Sequence, residues 1–246
     1  MNVVVMGGSG GLGREVVRGL RAQGATVAAA SRRTGVNLVS GEGLESALAG
    51  AEVIVHAALH PTKYRAVDLE GTRKIIGVVG SRPDPPHLIY VSIVGCDRNP
   101  YPYYRAKYAA ELVLERSGLP VTVVRATQFH KLVATIARAW AHGPVSLQPQ
   151  LTFQSCDHRW VAERLVDVAL GQAPPAYRRS VDLAGPERTT LGEAVNLIRQ
   201  AAGQRPPRVI RLPAVGGTLK AFAAGTNLPG PDAKIGGSAF RESLNF

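Results

Sequence analysis

Cysteine is scarce in this chain of 246 residues, which contains only Cys96 and Cys156. A disulfide-stapled scaffold is therefore excluded, and a reducing compartment is the expected location. Long apolar runs are also missing: no window approaches about 18 uninterrupted apolar residues, so no membrane span is expected. The opening residues MNVVVMGG lack the features of a secretory signal and read as a strand entering a turn. These absences predict a cytoplasmic protein with no membrane partner.

Neither a metal site nor a nucleic-acid module is indicated by the polar residues. The net charge of +11 comes mainly from dispersed arginines, and the sequence contains no long basic run and no zinc-finger pattern. Nucleic-acid binding is therefore disfavoured, whereas part of this charge suits an anionic cofactor or substrate. No metal is predicted, because metal-ligand spacing is absent around the six histidines, which are His56, His60, His87, His130, His142 and His158.

Short apolar runs alternate with helical patterns in the first half of the chain, which is typical of a parallel sheet covered by helices. The fold class predicted is therefore α/β. The predicted strands are Asn2–Met6, Thr26–Ala30, Val53–His56, His87–Ser92 and Val121–Arg125, with a further short strand suggested at Val36–Val39. The predicted helices are Gly11–Gln23, Leu44–Leu48, Thr62–Val79 and Tyr103–Ser117.

Beyond residue 125 the periodicity weakens. A strand is predicted near Ser180–Leu183, and about the last 35 residues, rich in Gly and Pro, predict loops over a ligand cleft. No linker separates two cores, so a single domain over residues 1–246 is expected. The helices predicted in this half are Phe129–Ala141, Arg159–Leu170 and Leu191–Ala202.

A glycine-rich turn follows the first predicted strand. The segment GGSGGLG places Gly7, Gly10 and Gly13 in the pattern G-x-x-G-x-x-G, with Gly11 and Leu12 between the last two. Glycine permits positive φ in a tight turn and lets backbone N–H groups approach a pyrophosphate, to which a helix N terminus adds partial positive charge. A purely structural turn is the alternative. The strand–turn–helix setting favours a dinucleotide site.

The end of the second predicted strand bears on the choice of cofactor. NAD-binding folds usually carry Asp or Glu about 20 residues after the glycines to bind the ribose hydroxyls. Here the strand TVAAA runs into Ser31, Arg32 and Arg33, and no acidic residue is available. Arginine pairs with a 2′-phosphate that a carboxylate would repel, so NADPH is favoured over NADH. The alternative is that both arginines decorate a surface loop.

Tyr103 and Lys107 lie four residues apart at a predicted helix start and therefore share one helix face. A free phenol has a pKa near about 10, and a neighbouring ammonium favours the phenolate, which suits acid–base chemistry beside a hydride carrier. Lys107 is also a candidate ligand of the nicotinamide ribose. The alternative is a surface helix in which Lys107 pairs with Glu111.

Two further polar residues follow predicted strands. Ser92 ends the strand IYVSIVG, where its hydroxyl can either bind a substrate carbonyl or cap the strand. His130 follows a later strand and is a candidate pocket residue, although a packed or solvated histidine is the more common case.

Together these segments resemble the short-chain dehydrogenase/reductase superfamily, specifically its atypical, NmrA-like NAD(P)H-binding branch. The resemblance covers nearly the whole chain. It rests on GGSGGLG, VIVHAA at 53–58, VDLEGTRKII at 67–76, YVSIVGCDRNPYPYYRAKYAAE at 90–111, VVRATQFHKLV at 123–133 and DLAGPERTTLGEAV at 182–195.

The resemblance implies a Rossmann-type, doubly wound core over roughly residues 1–150 and a small C-terminal substrate lobe from 127–160 and 185–246. Gly7, Gly10 and Gly13 would surround the pyrophosphate, and Tyr103 and Lys107 would match the catalytic pair. Ser92 would be the nearest match to the hydroxyl member, although only ten residues separate it from Tyr103. The remaining implied roles are Arg32 at the adenosine phosphate, Ala57 and Ala58 beside the adenine, and Thr127, Gln128 and Phe129 beside the nicotinamide and substrate.

The leading functional hypothesis is an NADPH-dependent oxidoreductase acting on a small, largely apolar carbonyl or quinone-like substrate. One alternative is a non-catalytic NADP(H)-binding redox sensor, because the branch contains both enzymes and regulators. Another is a non-redox isomerase or cyclase using the same pocket. The predicted partners are a small-molecule substrate and, as an option, a second copy of the chain in a homodimer.

Overall fold

The computed structural model describes residues 1–244 as alternating strands and helices. The strands are β1 Asn2–Met6, β2 Thr26–Ala30, β3 Val53–His56, β4 His87–Ile93, β5 Val121–Ala126, β6 Val145–Pro149, β7 Thr152–Phe153, β8 Arg178–Arg179, β9 Leu183–Ala184, β10 Thr189–Thr190, β11 Arg208–Leu212 and β12 Lys234–Ile235. The α-helices are α1 Gly11–Ala22, α2 Leu44–Leu48, α3 Gly71–Val79, α4 Pro102–Glu115, α5 His130–Trp140, α6 His158–Leu170, α7 Leu191–Ala201 and α8 Gly217–Ala223. Short 3₁₀ helices cover Arg32–Thr34 and Phe240–Leu244, and a π-helical turn covers Arg65–Glu70.

The chain divides into two units, each with its own core. The first unit comprises residues 1–92, 102–125 and 161–180, and the second comprises 93–101, 126–160 and 181–246. Residues 245 and 246 of the predicted substrate lobe lie outside the described residues. The expectation of one domain over the whole chain stays a prediction.

The first unit contains a parallel sheet in the order β2-β1-β3-β4-β5, with β8 paired to β5. Strand β1 pairs in parallel with β2 on one side and β3 on the other, and β3 pairs in parallel with β4. Every residue of β3 and β4 is buried, which explains their continuous runs of Val, Ile and Leu. The predicted α/β class with a parallel sheet is confirmed.

The helices of the first unit complete its core. In α1 the buried residues recur at helical spacing, so Val16, Val17 and Leu20 all lie on one face. The helix ends at Ala22 with Gln23 as its C-cap, and Gly24 continues the chain at φ 81°. Buried residues of the strands and of the helices pack together in one hydrophobic core, which includes Met6, Ile54, Ile75, Leu88, Tyr90 and Leu114.

A buried ion pair crosses from α4 to β5. The Arg125 side chain donates to both carboxylate oxygens of Glu111, with an Nε–Oε1 distance of 2.9 Å and an Nη2–Oε2 distance of 2.6 Å. Both side chains are at most 5% exposed. This bidentate geometry offsets part of the desolvation cost of burying two charges.

The second unit is built from short strands around a helical core. Strand β6 pairs in parallel with β11, β7 pairs antiparallel with β10, and β9 pairs in parallel with β12. Helix α7 begins with a capping box in which Thr190 and Glu193 each bind the other's backbone N–H. The hydrophobic core of the second unit contains Val133, Ala137, Phe153, Leu191, Val195 and Phe240.

Local patterns predicted the first half of the chain more accurately than the second. Strands β1, β2 and β3 have the predicted bounds, and β4 and β5 each extend one residue further. The suggested strand at Val36–Val39 is wrong, because the segment forms turns from which Val36 and Leu38 enter the core. The predicted helix at 62–79 begins instead at Arg65 and opens with the π-helical turn.

The second half contains elements that the sequence analysis missed. The strand predicted near Ser180–Leu183 is split into β8 and β9, and the last 35 or so residues contain α8, β12 and a 3₁₀ helix rather than loops alone. Strands of two residues carry too little periodicity to be recognised. None of the helices in residues 1–244 is long and apolar enough to cross a membrane.

The buried Glu111–Arg125 pair generates a stability prediction. We expect Glu111→Gln to lower the free energy of unfolding by about 3–5 kcal/mol, because it leaves the Arg125 charge buried without its counter-charge. The matched control is Asp167→Asn, which removes a carboxylate 62% exposed and 3.3 Å from Arg164. An exposed pair contributes at most about 1 kcal/mol. Urea unfolding of both variants checks this, and equal losses would contradict it.

Candidate functional site

The glycine turn is held by its own backbone hydrogen bonds. The N–H of Gly7 donates to the Ala30 carbonyl at 2.8 Å, and the N–H of Gly10 donates to the Gly7 carbonyl at 2.9 Å. Gly7 has φ 82°, and a Cβ added there would lie 2.6 Å from the Cα of Ala58. A Cβ added to Gly13 would lie 2.8 Å from the Gly7 carbonyl carbon and closer still to its oxygen. Only glycine fits at these two positions.

The same turn leaves the N terminus of α1 available to a ligand. Gly10 is the N-cap and provides no side-chain cap, so the first N–H groups of the helix lack the partner that a capping side chain would supply. Gly11 is exposed, and a Cβ added to it would have no described atom within 4 Å apart from its chain neighbours and the backbone of its own helix. Leu12 is half-buried beside them. Backbone donors at a helix N terminus suit an anionic group such as a pyrophosphate.

Neighbouring strands bring two further predicted segments to this turn. Ala58 contacts Gly7 as described, and Ala57 donates its N–H to the Met6 carbonyl at 3.0 Å. Ala30, whose carbonyl accepts from Gly7, ends β2 directly before Ser31. The glycine turn, the Ala57–Ala58 segment and the end of β2 therefore adjoin one another in the first unit.

The arginines predicted to bind a 2′-phosphate stand on an ordered 3₁₀ turn. The N–H of Ser31 donates to Thr34 Oγ1 at 2.8 Å, and the Thr34 hydroxyl donates to the Ala29 carbonyl at 2.9 Å. Arg32 and Arg33 lie within this turn and are exposed. Neither side chain forms an ion pair or a hydrogen bond within residues 1–244. Both are therefore available to an anion.

Tyr103 and Lys107 share one face of α4, as predicted. Lys107 Nζ lies 5.9 Å from the centroid of the Tyr103 ring and 4.7 Å from that of Tyr90. The rings of Tyr64 and Tyr104 pack edge-on against Tyr103, with centroids at 6.1 Å and 5.9 Å. Tyr103 is half-buried and Lys107 is buried. An aromatic group with a nearby ammonium is thus present.

Lys107 has a partner that the sequence analysis did not name. Its Nζ lies 2.7 Å from Asp68 Oδ1, and the Lys107 and Asp68 side chains are 5% and 0% exposed. The same Nζ donates to the Val91 carbonyl at 2.6 Å, and the Tyr90 hydroxyl donates to Asp68 Oδ1 at 3.2 Å. The alternative pairing of Lys107 with Glu111 is not observed, since Glu111 pairs with Arg125.

Asp68 reaches Lys107 because of the local fold. It lies in the π-helical turn Arg65–Glu70, which packs against α4. Such turns inside helices are frequent at functional sites. The sequence did contain a signal, since Asp68 stands between the apolar residues Val67 and Leu69. All three residues are buried in the structure, and a buried carboxylate requires a partner. The partner's identity depends on the tertiary fold.

Buried neutral groups surround this ion pair. His56 ends β3 and packs edge-on against Tyr90, with ring centroids 5.3 Å apart. Burial lowers the pKa of His56 to about 4, so the imidazole is neutral near pH 7. Burial also raises the pKa of Tyr90 well above its usual value. Ser92 lies in β4 directly after Val91, the Lys107 acceptor, and is itself buried.

The other predicted site residues lie in the second unit. The Thr127 hydroxyl donates to the Gln154 carbonyl at 2.6 Å, and Gln128 Oε1 accepts from the Asn227 amide at 3.4 Å. Both Thr127 and Gln128 are buried. Their predicted contacts with nicotinamide or substrate stay predictions.

Phe129 is the N-cap of α5, and His130 is the first residue of this helix, in the same unit. The Phe129 ring lies edge-on to His158, with centroids 6.5 Å apart. His130 Nε2 lies 3.0 Å from the Ser238 carbonyl, which can only accept, so Nδ1 accepts from the Ser155 hydroxyl at 2.8 Å. Burial lowers the pKa of His130. Its substrate-binding role stays a prediction, as both ring nitrogens already have partners.

The part of the chain that contains the glycine turn and most of the parallel sheet matches a known protein family. A family model described as NAD(P)H-binding matches residues 7–144 of this chain. The chain belongs to the NAD(P)H-binding family. The family predicted from the glycine turn and the sequence resemblance is thereby confirmed. No curated protein matches the chain in a sequence search.

Solved structures similar to this NAD(P)H-binding protein share its fold at low sequence identity. An Escherichia coli NADPH-dependent quinone oxidoreductase, solved with NADPH, has a TM-score of 0.73 and 17% identity, covering 99% of this chain and 98% of that one. A Staphylococcus aureus nucleoside-diphosphate-sugar epimerase has a TM-score of 0.76 and 13% identity over 100% of both chains. A Citrobacter triphenylmethane reductase, solved with NADP(H), has a TM-score of 0.68 and 15% identity, covering 100% and 96%. The predicted Rossmann-type fold is confirmed.

The glycine turn generates a binding prediction for this NAD(P)H-binding protein. We expect Gly13→Ala to raise the Kd for NADPH at least about tenfold, or about 1.4 kcal/mol, because the new Cβ displaces the Gly7 carbonyl. The control is Gly77→Ala on the exposed face of α3, where no described atom lies within 4 Å of an added Cβ. Calorimetric titration measures both. Unchanged affinity in a folded Gly13→Ala protein would contradict the site.

Proposed function

We propose that this protein is an NADPH-dependent oxidoreductase that reduces a small, largely apolar carbonyl or quinone-like acceptor. The observation that carries the proposal is the Tyr103–Lys107 arrangement. Lys107 Nζ lies 5.9 Å from the Tyr103 ring in the unit that also contains the glycine turn. Membership of the NAD(P)H-binding family supports it.

The residues of the first unit fit a dinucleotide phosphate. Gly7, Gly10 and Gly13 would hold the pyrophosphate against the N terminus of α1, with Gly11 and Leu12 lining the approach. Ala57 and Ala58 would lie beside the adenine. Bound NADPH would supply a hydride to the acceptor.

Exposed arginines support the preference for NADPH over NADH. Arg32 and Arg33 would bind the 2′-phosphate with Ser31, because guanidinium groups form charge-assisted bonds with phosphate oxygens. The quinone oxidoreductase from E. coli and the triphenylmethane reductase, which share this fold, were both solved with the phosphorylated cofactor.

The chain's own residues would manage the proton and the substrate. Tyr103 would donate a proton to the reduced acceptor, Lys107 would hold the nicotinamide ribose, and Ser92 would bind the acceptor oxygen. Thr127, Gln128, Phe129 and His130 would border the nicotinamide and substrate. Lys107 has used two of its three donor positions, on Asp68 and Val91, so one remains for a ribose hydroxyl.

Cofactor preference provides the first test. We expect Arg32→Ala to weaken NADPH binding about 10- to 100-fold, as the loss of a charge-assisted bond predicts, while leaving NADH binding unchanged. The control is Arg116→Ala, which removes an exposed arginine just beyond α4 and changes the net charge equally. Calorimetry with both cofactors measures the change. Equal weakening of NADH and NADPH would contradict a 2′-phosphate contact.

Turnover provides the second test. We expect NADPH oxidation with members of a panel of quinones, aldehydes and ketones, and we expect Tyr103→Phe to lower kcat with a carbonyl acceptor at least about tenfold. NADPH affinity should persist, because the phenol is not assigned to the phosphate site. The control is Tyr108→Phe, which removes an exposed phenol from the same helix. Tight NADPH binding without turnover of any acceptor would contradict catalysis and favour a sensor. Product conversion without NADPH oxidation would favour an isomerase.

A further inference from the structure

The buried ion pair between Asp68 and Lys107 changes what the proposed proton donor can do. The ammonium nitrogen lies 2.7 Å from Asp68 Oδ1, and neither side chain is more than 5% exposed. The pair is fixed further by the Val91 carbonyl, which accepts from Nζ, and by the Tyr90 hydroxyl, which donates to Asp68. Lys107 is therefore neither mobile nor electrostatically alone.

A paired ammonium acts on Tyr103 differently from an isolated one. A single positive charge near a phenol stabilises the phenolate and lowers the pKa of the hydroxyl. A carboxylate in direct contact with that ammonium brings the net charge to zero, and the field of the remaining dipole falls off more steeply with distance than that of a charge. Tyr103, whose ring centroid lies 5.9 Å from Nζ, therefore experiences far less stabilisation of its phenolate.

The other groups packed around Lys107 do not restore a net positive charge. His56 on β3 is neutral near pH 7, because burial lowers its pKa to about 4. Tyr90 on β4 is neutral because burial raises its pKa. Glu111, one turn further along α4, is compensated by Arg125 on β5. The described surroundings of the ion pair are thus close to neutral overall.

The strength of the proton donor matters differently for the two acceptor classes. Hydride addition to an aldehyde or ketone produces an alkoxide, whose conjugate acid is about as weak an acid as water and far weaker than a phenol. Hydride addition to a quinone produces a hydroquinone monoanion, a phenolate whose conjugate acid has a pKa of about 10. The first product requires a strong donor in the transition state. The second is stabilised by its own ring.

We propose that Asp68 is a positioning residue that fixes Lys107 and cancels its charge at Tyr103, so that the site selects quinones over simple carbonyls. This proposal rests on the oxidoreductase function proposed above and specifies its substrate class. The overall reaction converts NADPH, a quinone and one proton into NADP⁺ and a hydroquinone. Bound NADPH would supply the hydride and its two electrons to the quinone from a C–H bond that breaks, and Tyr103 would deliver the proton and be reprotonated by water.

Titration of Tyr103 tests the charge cancellation without requiring turnover. The protein, which contains 7 tyrosines, is labelled with [ζ-¹³C]tyrosine, and the Tyr103 signal is assigned by its loss in Tyr103→Phe. The pKa of Tyr103 is then compared in the wild type, Asp68→Asn, Lys107→Met and the double variant. The double variant is neutral at both positions and remains informative if an unpaired buried charge prevents either single variant from folding.

The proposal predicts an ordered set of values. The pKa of Tyr103 should be nearly equal in the wild type and the double variant, because each has no net charge at the pair. It should fall by about 1 in Asp68→Asn and rise by about 1 in Lys107→Met. A double variant with a pKa higher than the wild type by about 1 would overturn the proposal, since Lys107 would then act on Tyr103 despite Asp68.

Acceptor selectivity supplies the second arm. The ratio of kcat/KM for a benzoquinone to that for an aromatic aldehyde should fall about three- to tenfold in Asp68→Asn, because a more acidic phenol helps the aldehyde more. An unchanged ratio would overturn the assignment of substrate class. If the proposed oxidoreductase function is wrong, no acceptor would be reduced. The order of the Tyr103 pKa values would still show whether Asp68 cancels the charge of Lys107.

Discussion

The close backbone approach at the glycine turn is the constraint on which the first unit depends. Gly7 lies against Ala58 at the end of β3, and its carbonyl lies against Gly13 in the first turn of α1. Both contacts require the absence of a Cβ, and together they set where α1 starts relative to the sheet. The N–H groups of that helix consequently open toward the edge where β1, β2 and β3 end. The proposed cofactor site at this turn is a consequence of this packing more than of any side chain.

A second set of constraints acts through charge. Among the described residues of the first unit, the ion pairs Glu111–Arg125 and Asp68–Lys107 are both buried, and each has one member on α4. Burial makes each charge dependent on its partner, because an uncompensated charge in the core is costly. Helix α4 therefore has its position set by electrostatics as well as by apolar packing. Tyr103, the side chain proposed for catalysis, lies on α4, so the same ion pairs determine its electrostatic surroundings.

The sequence predicted well the features that depend on local pattern. The bounds of β1, β2 and β3, the glycine turn and the Tyr103–Lys107 spacing all follow from periodicity or backbone chemistry within a few residues. It failed where residues distant in the chain decide the outcome. Asp68 and Lys107 are far apart in sequence, and no spacing rule links them. The same holds for Val36 and Leu38, which enter the core from turns, and for the two-residue strands of the second unit.

The π-helical turn at Arg65–Glu70 places the Asp68 carboxylate beside α4, and its longer i→i+5 hydrogen-bonded loop accommodates more residues per turn than an α-helix does. Successive residues of an α-helix differ by about 100° around the axis. Deleting one residue from this turn would rotate the carboxylate away from the ammonium while leaving α3 intact. Insertions and deletions in this turn would therefore change how far Asp68 compensates the charge of Lys107 beside the Tyr103 phenol. They would do so without altering any residue that is proposed to touch a ligand.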